Sequence, residues 1–584
     1  MIEQDELIEY KWIVAFGGFA AMFAAFGIGA NDVANAYATS VGSKALTIKQ
    51  ACALALIFEF VGAVAAGSQV ANTIRKGIAD IDCYNNNYMD APLLMYGNGC
   101  VCFIVGMWLV TATWLEMPVS TTHSCVGGMI GMAIAIRGQE CVVWYENGDE
   151  DNLWIPKGVV GIIISWFVSP ILSGLFSVMF FTFVRTFILR STNSFNRALK
   201  FYPILIFLAV WINIFFIISK GISKKICPKK DGDNWLCESG TKKKDGKVIG
   251  EVAMGLSASL SIIITFLVYP AYGYIRKWIN EDFKDGNKPW YAVSLMLNNN
   301  NENNNVENEN NININQRTNS YTQATSIEQT DIVDNKLSIK QKILKYINKS
   351  INVDVHNSSL NDQKVVSIHE HAEVFDDKTE AVFRYIQIFT AICDSFAHGA
   401  NDVANAIGPF MACYLIYKDG KVDKKKDTDD DAYWILALGG IGIGIGLLLY
   451  GYKIIRAIGV KLSKITPSRG FAIELGAALV IIIGSYLGLP LSTTHCQIGA
   501  TTGVALLEGQ KGLNKKVFGV TIIGWVITLI VAGIGSGLLT AQGIYAPLAP
   551  KLQRNMEQEQ CLDYAASIHD WLKVNETGTS LYKI

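Results

Sequence analysis

Two copies of one octapeptide organise the chain, Gly29-Ala30-Asn31-Asp32-Val33-Ala34-Asn35-Ala36 and Gly399-Ala400-Asn401-Asp402-Val403-Ala404-Asn405-Ala406. A second string is also duplicated, as Pro118-Val119-Ser120-Thr121-Thr122-His123 and Pro490-Leu491-Ser492-Thr493-Thr494-His495, and it follows the octapeptide in each half. An identical eight-residue string does not recur by chance together with a second shared string in the same order. The sequence therefore predicts two related halves.

The composition is typical of a membrane protein. Of the 584 residues, 51% are hydrophobic and only 17% are charged, compared with roughly 25% charged residues in an ordinary soluble protein. The formal net charge of -1 gives no global field that would attract nucleic acid. The first six residues are acidic rather than basic, so they do not form a signal peptide, and we expect the first span to act as its own insertion signal.

Apolar stretches long enough to cross a bilayer recur in both halves. A bilayer core of ~30 Å needs about 20 apolar residues in a helix, and this criterion gives twelve candidates. They lie near residues 12–36, 48–71, 93–115, 118–136, 157–184, 202–219, 251–275, 383–413, 432–454, 470–489, 490–508 and 516–540. The predicted fold class is an all-α polytopic membrane protein with about 12 transmembrane helices.

Basic loops set the expected orientation. The acid-free connections within 185–200 and 453–469 are rich in Arg and Lys, and the positive-inside rule places both in the cytoplasm. Counting outward puts both termini outside the cell, although loop 220–249, with nine lysines, then comes out external. Seven crossings separate the two octapeptides, an odd number, so inverted repeats are predicted. The repeats would be parallel only if one of 93–115 and 118–136 alone failed to cross.

The chain is thereby divided into four parts. Residues 1–275 form the first transmembrane half, with a repeat near 12–190 followed by two linking spans, and residues 382–545 form the second repeat. Residues 276–381 are predicted to be a disordered cytoplasmic loop, because an asparagine-rich tract there has few large apolar residues. Residues 546–584 are predicted to be an extracytoplasmic tail.

The twelve cysteines do not show a metal-binding spacing. Most lie in apolar runs, where cysteine behaves as a small core residue. Cys83, Cys141, Cys227 and Cys237 lie in polar loops on the predicted outer side. We expect one disulfide among them, with the pairing open.

An aspartate inside an apolar span is the costly feature of each octapeptide. A carboxylate at a helix centre costs roughly 2.5 to 3.5 kcal/mol on insertion, and such groups are functional by default in membranes. Carboxylate and amide oxygens are ligands for small hard cations, and local unwinding would add backbone carbonyls. The alternative is a pair of hydrogen-bonded helix contacts. The predicted cation ligands are Asn31, Asp32, Asn35, Asn401, Asp402 and Asn405.

The Pro-x-Ser-Thr-Thr-His string is typical of a helix that begins inside the membrane. Ser and Thr cap helices, and the hydroxyls and free N–H groups at such an end form an anion site. Two ends related by an axis in the membrane plane would converge on one tetrahedral oxyanion. Because neither string contains Arg or Lys, bound cations must balance the anion. The predicted anion ligands are Ser120, Thr121, Thr122, Ser492, Thr493 and Thr494.

The paired strings resemble the signature of the inorganic phosphate transporter (PiT) family, Gly-(Ala/Gly)-Asn-Asp-x-(Ala/Ser)-Asn-Ala in both halves. The resemblance implies that Asp32 and Asp402 are needed for transport and that both Ser-Thr-Thr strings contact phosphate. Glu59 and Glu474 also match acidic positions of eukaryotic relatives. They follow their aspartates at unequal spacings, and a salt-bridged or protonated helix contact is the alternative for each.

Three histidines adjoin these motifs. His398, with Glu59 and Glu474, is a candidate for coupling or for a proton-linked step, and His123 and His495 are further candidates for pH sensing. A hydrogen-bonded packing role is the alternative for each histidine.

The sequence thus predicts an integral membrane carrier, not an enzyme, that couples phosphate uptake to an inward cation gradient by alternating access. Sodium is the favoured cation, and the plasma membrane is the expected location. No cofactor is expected beyond transported sodium ions. The predicted partners are phosphate, sodium and the lipid bilayer, not nucleic acid, with a homodimer left open.

Two other functions stay open at this point. A cation- or proton-coupled carrier of another tetrahedral oxyanion, such as sulfate, would use the same helix ends. An intramembrane hydrolase would pair Ser120 or Ser492 with His123 or His495. Against the hydrolase, the Ser-to-His spacing is the same in both halves, whereas a triad needs one asymmetric site.

Overall fold

The chain is almost wholly helical. The architecture comes from a computed structural model that describes residues 9–84, 89–147, 156, 158–221, 250–286, 288–293, 338–359, 362–420, 422, 433–486, 491–545, 558, 562 and 563. These ranges contain no strand, and an isolated bridge joins Ala79 and Val142. The all-helical prediction is confirmed.

The helices of the first half follow the predicted apolar stretches. They are α1 (Lys11–Asn31), α2 (Val33–Gly42), α3 (Ile48–Gly77), α4 (Asp90–Trp114), α5 (Thr121–Arg137), α6 (Gly158–Val184), α7 (Ser194–Phe216), α8 (Gly250–Val268) and α9 (Ala271–Asp282). Short π-helical turns, Arg185–Leu189 and Ile217–Gly221, continue α6 and α7.

The remaining helices begin before the second octapeptide. They are α10 (Ile339–Ile351), α11 (Gln363–His371), α12 (Asp377–Asp419), α13 (Tyr433–Tyr450), α14 (Tyr452–Arg456), α15 (Pro467–Tyr486), α16 (Thr493–Leu506) and α17 (Lys515–Tyr545). A π-helical turn, Ala457–Leu462, follows α14.

Nine segments of the described chain are long and apolar enough to cross a membrane. They are Lys11–Gly42, Ile48–Ser68, Asp90–Trp114, Gly158–Leu189, Ser194–Ser219, Gly250–Val268, Tyr433–Tyr450, Pro467–Gly484 and Lys515–Tyr545. The other three predicted spans coincide with α5 and α16, which are only 17 and 14 residues long, and with α12, which has 43 residues. Twelve crossings therefore stay a prediction.

Helices of the two halves interleave around the octapeptides. Helix α1 packs against α13, and α12 packs against α3. The approach is so close that a Cβ atom at Gly29 would overlap the carbonyl oxygen of Ile443, and one at Gly399 would overlap that of Glu59. The leading glycine of each octapeptide therefore lets its helix press against a helix of the opposite half.

The unwinding predicted at the octapeptides is much smaller than expected. In the first copy only Asp32 separates α1 from α2, and its N–H still bonds the Ile28 carbonyl at 2.7 Å. The second copy lies inside the continuous helix α12. The expectation was wrong for the second copy, because the Asn and Asp side chains bond neighbouring helices and leave the helical backbone in place.

The range 276–381 is not one disordered loop. Helix α9 continues into it, α10 and α11 lie within it, and α12 begins at Asp377. Its later part folds because apolar side chains such as Val355, Val365 and Ile368 are buried against the helical body. The asparagine-rich tract and nearly all of the tail at 546–584 lie outside the described residues.

Two of the four loop cysteines form a disulfide, Cys83–Cys141, with Cα atoms 5.9 Å apart. The bridge joins the short turn after α3 to the turn after α5, beside the hydrogen bond from Asp80 N–H to the Cys141 carbonyl at 2.9 Å. Cys227 and Cys237 lie outside the described residues.

Candidate functional site

The two Ser-Thr-Thr strings start helices that meet inside the protein. Ser120 caps α5 by accepting a hydrogen bond from His123 N–H at 3.3 Å, and Ser492 caps α16 by accepting one from His495 N–H at 3.3 Å. The Ser492 hydroxyl donates to the Ser120 hydroxyl at 2.8 Å. The prediction that these strings begin helices is confirmed, and the two beginnings are in direct contact.

Asp32 is bound by threonines of both helix starts. Its Oδ2 accepts a hydrogen bond from the Thr121 hydroxyl at 2.6 Å, and its Oδ1 accepts one from the Thr494 hydroxyl. Asn35 Nδ2 donates to the same Oδ1 at 2.7 Å. A carboxylate with no exposed surface is thus stabilised by three donors, two of which are also predicted anion ligands.

Asp402 has a related but unequal environment. Its Oδ2 accepts a hydrogen bond from Thr493 at 2.6 Å and lies 2.8 Å from His398 Nε2. Its Oδ1 accepts from Asn405 at 3.0 Å and from Asn401 at 3.2 Å. The imidazole is the feature that the first octapeptide lacks.

The asparagines divide into two roles. Asn31 holds the segment before α5, because its Nδ2 donates to the Met117 carbonyl at 3.0 Å and its Oδ1 accepts from Val119 N–H at 3.0 Å. Asn401 does the same more weakly, with its Nδ2 3.5 Å from the Leu491 carbonyl. These two amides position the helix starts.

Asn35 and Asn405 instead cross to the opposite helix start. Asn405 Nδ2 donates to the Thr121 hydroxyl at 3.1 Å and reaches Thr122 at 3.4 Å, and Asn35 Nδ2 lies 3.2 Å from the Thr494 hydroxyl. The Asn35 Oδ1 is buried and has no hydrogen-bond partner among the described residues. It is an uncommitted acceptor of the kind that a cation binds.

All twelve predicted ligands come together in one buried cluster, none more than 6% exposed. Single ligand atoms of Asp32, His398 and Asp402 lie within 4.8 Å of one another. Oxygen donors of this density suit a small hard cation, and the hydroxyls at two helix starts suit an oxyanion. The geometry thus brings both kinds of predicted ligand into hydrogen-bonding contact.

Glu59 and Glu474 occupy different places, as their unequal spacings suggested. Glu59 on α3 accepts from the Ser395 hydroxyl at 2.9 Å and lies 3.0 Å from His398 Nδ1. His398 therefore bridges Glu59 to Asp402, so Glu59 belongs to the cluster through the imidazole.

Glu474 on α15 lies in a separate polar pocket. It accepts hydrogen bonds from Thr39 at 2.6 Å and Ser40 at 2.9 Å, from Gln387 at 3.2 Å, and from Thr390. This buried carboxyl is satisfied by neutral donors, and among the described residues no ion pair is seen at it.

The hydroxyl and amide partners of Glu474 were missed from the sequence, although a signal was present. Polar residues recur along α12 at helical spacing, which places them on one face of the helix. The set comprises Gln387, Thr390, Asp394, Ser395, His398, Asn401, Asp402 and Asn405. A count of polar periodicity within this apolar helix would have found the polar face that carries Gln387 and Thr390, but not which acid each residue bonds, and Thr39 and Ser40 of α2 lie outside the pattern.

His123 and His495 pack in a symmetric arrangement beside the helix starts. His123 Nδ1 lies 3.2 Å from the Trp525 carbonyl, and His495 Nδ1 lies 3.0 Å from the Trp166 carbonyl. A carbonyl only accepts, so each Nδ1 carries the proton. Because the rings bond tryptophan carbonyls and not the serines, this arrangement does not form a Ser–His catalytic pair.

Known proteins with similar sequences are carriers. A family model described as the phosphate transporter family matches residues 28–536. The chain is 30% identical to the phosphate-repressible phosphate permease pho-4 of Neurospora crassa, over 93% of this chain and 99% of the permease. It is 29% identical to the sodium-dependent phosphate transporter 1 of Rattus norvegicus, over 91% and 95% of the two chains. A solved structure, described as the sodium-dependent phosphate transporter, superposes with a TM-score of 0.63 at 28% identity and covers 91% of this chain and 98% of its own.

Proposed function

Because the chain belongs to the phosphate transporter family, we propose that it carries inorganic phosphate across a membrane together with a cation, by alternating access. It is a transporter and not an enzyme, since its family and its relatives are permeases and transporters. Sodium is the favoured cation, because the rat relative is named a sodium-dependent phosphate transporter and the site is rich in hard oxygen ligands. Sulfate as the substrate is not favoured, because the relatives are named for phosphate.

One observation carries this proposal: the threonine hydroxyls at both helix starts donate to the aspartates. Thr121 and Thr494 bond Asp32, and Thr493 bonds Asp402. A hydroxyl has one hydrogen, so it donates either to the carboxylate or to a bound oxyanion. A cation that takes over the carboxylate oxygens releases these hydroxyls for phosphate.

The charges in the cluster also indicate that a cation binds before phosphate. Two buried carboxylates beside the helix starts repel an anion, and the only cationic candidate in the described cluster is His398, which is shared between Asp402 and Glu59. Bound cations remove that repulsion, so each ion raises the affinity for the other by the same factor. We therefore expect cations to bind before phosphate.

Contacts between the halves support inverted repeats. His123 of α5 bonds a carbonyl of α17, and His495 of α16 bonds a carbonyl of α6. Likewise α1 packs on α13 while α12 packs on α3. Each exchange pairs an element of one half with the matching element of the other, as a two-fold axis through the helix starts requires. The odd number of crossings predicted between the octapeptides is what makes such an axis lie in the membrane plane.

The orientation is proposed on two grounds. The basic connections at 185–200 and 453–469 favour the cytoplasm, and the Cys83–Cys141 disulfide favours an oxidising outer side for the turns that it joins. Both grounds favour termini on the extracytoplasmic side, and the count of predicted spans agrees. We propose the plasma membrane as the location, which puts the termini outside the cell.

The test is radiolabelled phosphate uptake into proteoliposomes with an imposed sodium or proton gradient. D32N and D402N should each abolish cation-dependent uptake, because the amide removes the charge that binds the cation. D90N is the matched control, since Asp90 is equally buried but pairs with Arg137 away from the site. Wild-type uptake by D32N and D402N, or sulfate uptake equal to phosphate uptake, would refute the proposal.

A further inference from the structure

A lysine-lined pocket lies outside the transport site. It has a volume of about 360 Å³ and is formed by α11, the connection after α16 and the beginning of α17. The lining residues are Gln363, Lys364, Ser367, Ile368, Lys511, Leu513, Asn514, Lys515 and Lys516. Four of these nine side chains are therefore cationic, and none is acidic.

The positive charge of this lysine pocket is not neutralised by nearby carboxylates. Within the described chain, Lys364, Lys511, Lys515 and Lys516 form no ion pair, and the one hydrogen bond of their ammonium groups joins Lys515 to Gln510 at 3.4 Å. Asp362, the acid that precedes α11, caps that helix by accepting a hydrogen bond from Lys364 N–H at 3.0 Å; it keeps its charge but forms no ion pair with these lysines in the described chain. The four lysines that line this pocket are exposed and carry like charges that repel each other, and an anion bound between them relieves that repulsion.

The beginning of α17 adds a directional preference for an anion. This helix has 31 residues, and its first turn, at Lys515 and Lys516, lines the pocket. Asn514 precedes that turn and accepts from Val517 N–H at 3.3 Å. The free N–H groups and the dipole of a long helix favour negative charge at this end.

The pocket is connected to the transport site through α16. That helix begins at Thr493 in the site and ends next to the connection that forms one wall of the pocket. Both walls are anchored to the basic connection. His369 of α11 bonds the Val460 carbonyl at 3.0 Å, and Asn514 Nδ2, on the wall formed by the connection after α16, donates to the Lys461 carbonyl at 3.0 Å. An occupant would therefore link α11 to the cytoplasmic ends of α16 and α17.

We propose that this lysine pocket binds a compact anion that carries several phosphate groups, of the inositol polyphosphate class. Four ammonium groups on separate side chains can pair with several phosphate groups at once, so a single orthophosphate is a poor match. The same chemistry is offered by a soluble inositol polyphosphate and by the headgroup of a phosphoinositide lipid. The site is separate from the proposed transport function and stands or falls independently of it.

The experiment uses the full chain purified in detergent, with inositol hexakisphosphate as the soluble probe and orthophosphate as the competitor, followed by calorimetry at low salt. A second arm uses nanodiscs with and without phosphatidylinositol 4,5-bisphosphate. The pocket variant is K511Q/K515Q/K516Q. The matched control is K340Q/K342Q/K349Q, which removes the same charge from exposed lysines of α10.

We expect one inositol hexakisphosphate to bind per chain, with an affinity that is lowered roughly tenfold or more in the pocket variant and unchanged in the control. If only the phosphoinositide nanodiscs bind, and binding is weakened in the pocket variant but not in the control, the site is also supported and its ligand is the lipid headgroup. Binding by neither probe, an equal loss in the control, or displacement by orthophosphate at similar concentration would overturn the proposal. Because the three lysines are exposed, the pocket variant should keep the wild-type thermal midpoint and uptake.

Discussion

Replacing Thr494 with valine tests whether hydroxyls are passed from carboxylate to phosphate. Valine keeps the shape of the side chain and removes one hydroxyl, which donates to Asp32 and accepts from Asn35 at 3.2 Å. Without a cation, Asp32 then loses one of its three donors. A hydrogen bond to a charged group contributes about 1.5 to 3 kcal/mol, so the cation-free state is destabilised by that amount.

If a bound cation releases the hydroxyls for phosphate, T494V should change the phosphate affinity and the sodium affinity in opposite directions. Phosphate loses a donor, so its half-saturating concentration should rise on the order of tenfold to hundredfold. Sodium binding in the absence of phosphate should become tighter by a similar factor, because the cation no longer competes with the Thr494 hydroxyl for Asp32. A static ligand shell predicts instead that both affinities fall or that sodium affinity stays the same.

The assay is sodium binding to the purified protein without phosphate, paired with phosphate uptake at saturating sodium. T501V is the matched control, because Thr501 lies on the same helix and donates only to the Gln497 carbonyl at 2.8 Å. It should leave both constants within about twofold. Weaker sodium binding by T494V would refute the release of hydroxyls.

Three further predictions concern the periphery. Changing both Cys83 and Cys141 to serine should lower the free energy of unfolding by about 4 kcal/mol, the chain-entropy value for a separation of 58 residues; an unchanged thermal midpoint contradicts this. Burial of His369 on α11, outside the candidate spans, lowers its pKa to about 4, so the unfolded chain binds the extra proton and stability should fall as pH drops from about 6.5 towards 4. H369Q should make the thermal midpoint less dependent on pH in this range, and a pH profile identical to that of the wild type would contradict the prediction. A tag at residue 310 should be reachable only after permeabilisation and tags at either terminus in intact cells; opposite accessibility of the termini would contradict the inverted repeats.

The helix starts could be predicted from sequence because their signals are local. Ser120 and Ser492 accept from the N–H three residues on, which is the capping bond that Ser favours before a helix. The aspartates could be predicted because a buried charge in an apolar run is costly and rare. That the two helix starts converge was expected from their cap residues together with the predicted inverted repeats, and the 2.8 Å hydrogen bond between the two serines brings them into direct contact.

The partners of each acid could not be predicted, because they depend on how the halves interleave. Thr494 bonds Asp32 across 462 residues of sequence, and Thr39 bonds Glu474 across 435. Local periodicity carries no information at such separations. The same limit explains the wrong expectation for the later part of 276–381, where burial against the helical body supplies the stability that composition alone did not indicate.

The two halves are related but not equivalent, and α12 explains why. Its buried polar face runs from Gln387 to Asn405, about 27 Å at 1.5 Å per residue, which is most of the thickness of a bilayer core. Helix α1 is apolar from Trp12 to Ala30 and offers polar atoms only at its end. Helix α12 therefore carries a long polar face to the cluster, whereas the first half contributes polar atoms from the end of α1, from the start of α5 and from Glu59 of α3. His398 lies on that face and joins Glu59 to Asp402, so a change at Asp402 disturbs a chain of three titratable groups, whereas a change at Asp32 disturbs hydroxyls and an amide. The octapeptides are identical in sequence, yet a cation bound at each would meet a different set of partners.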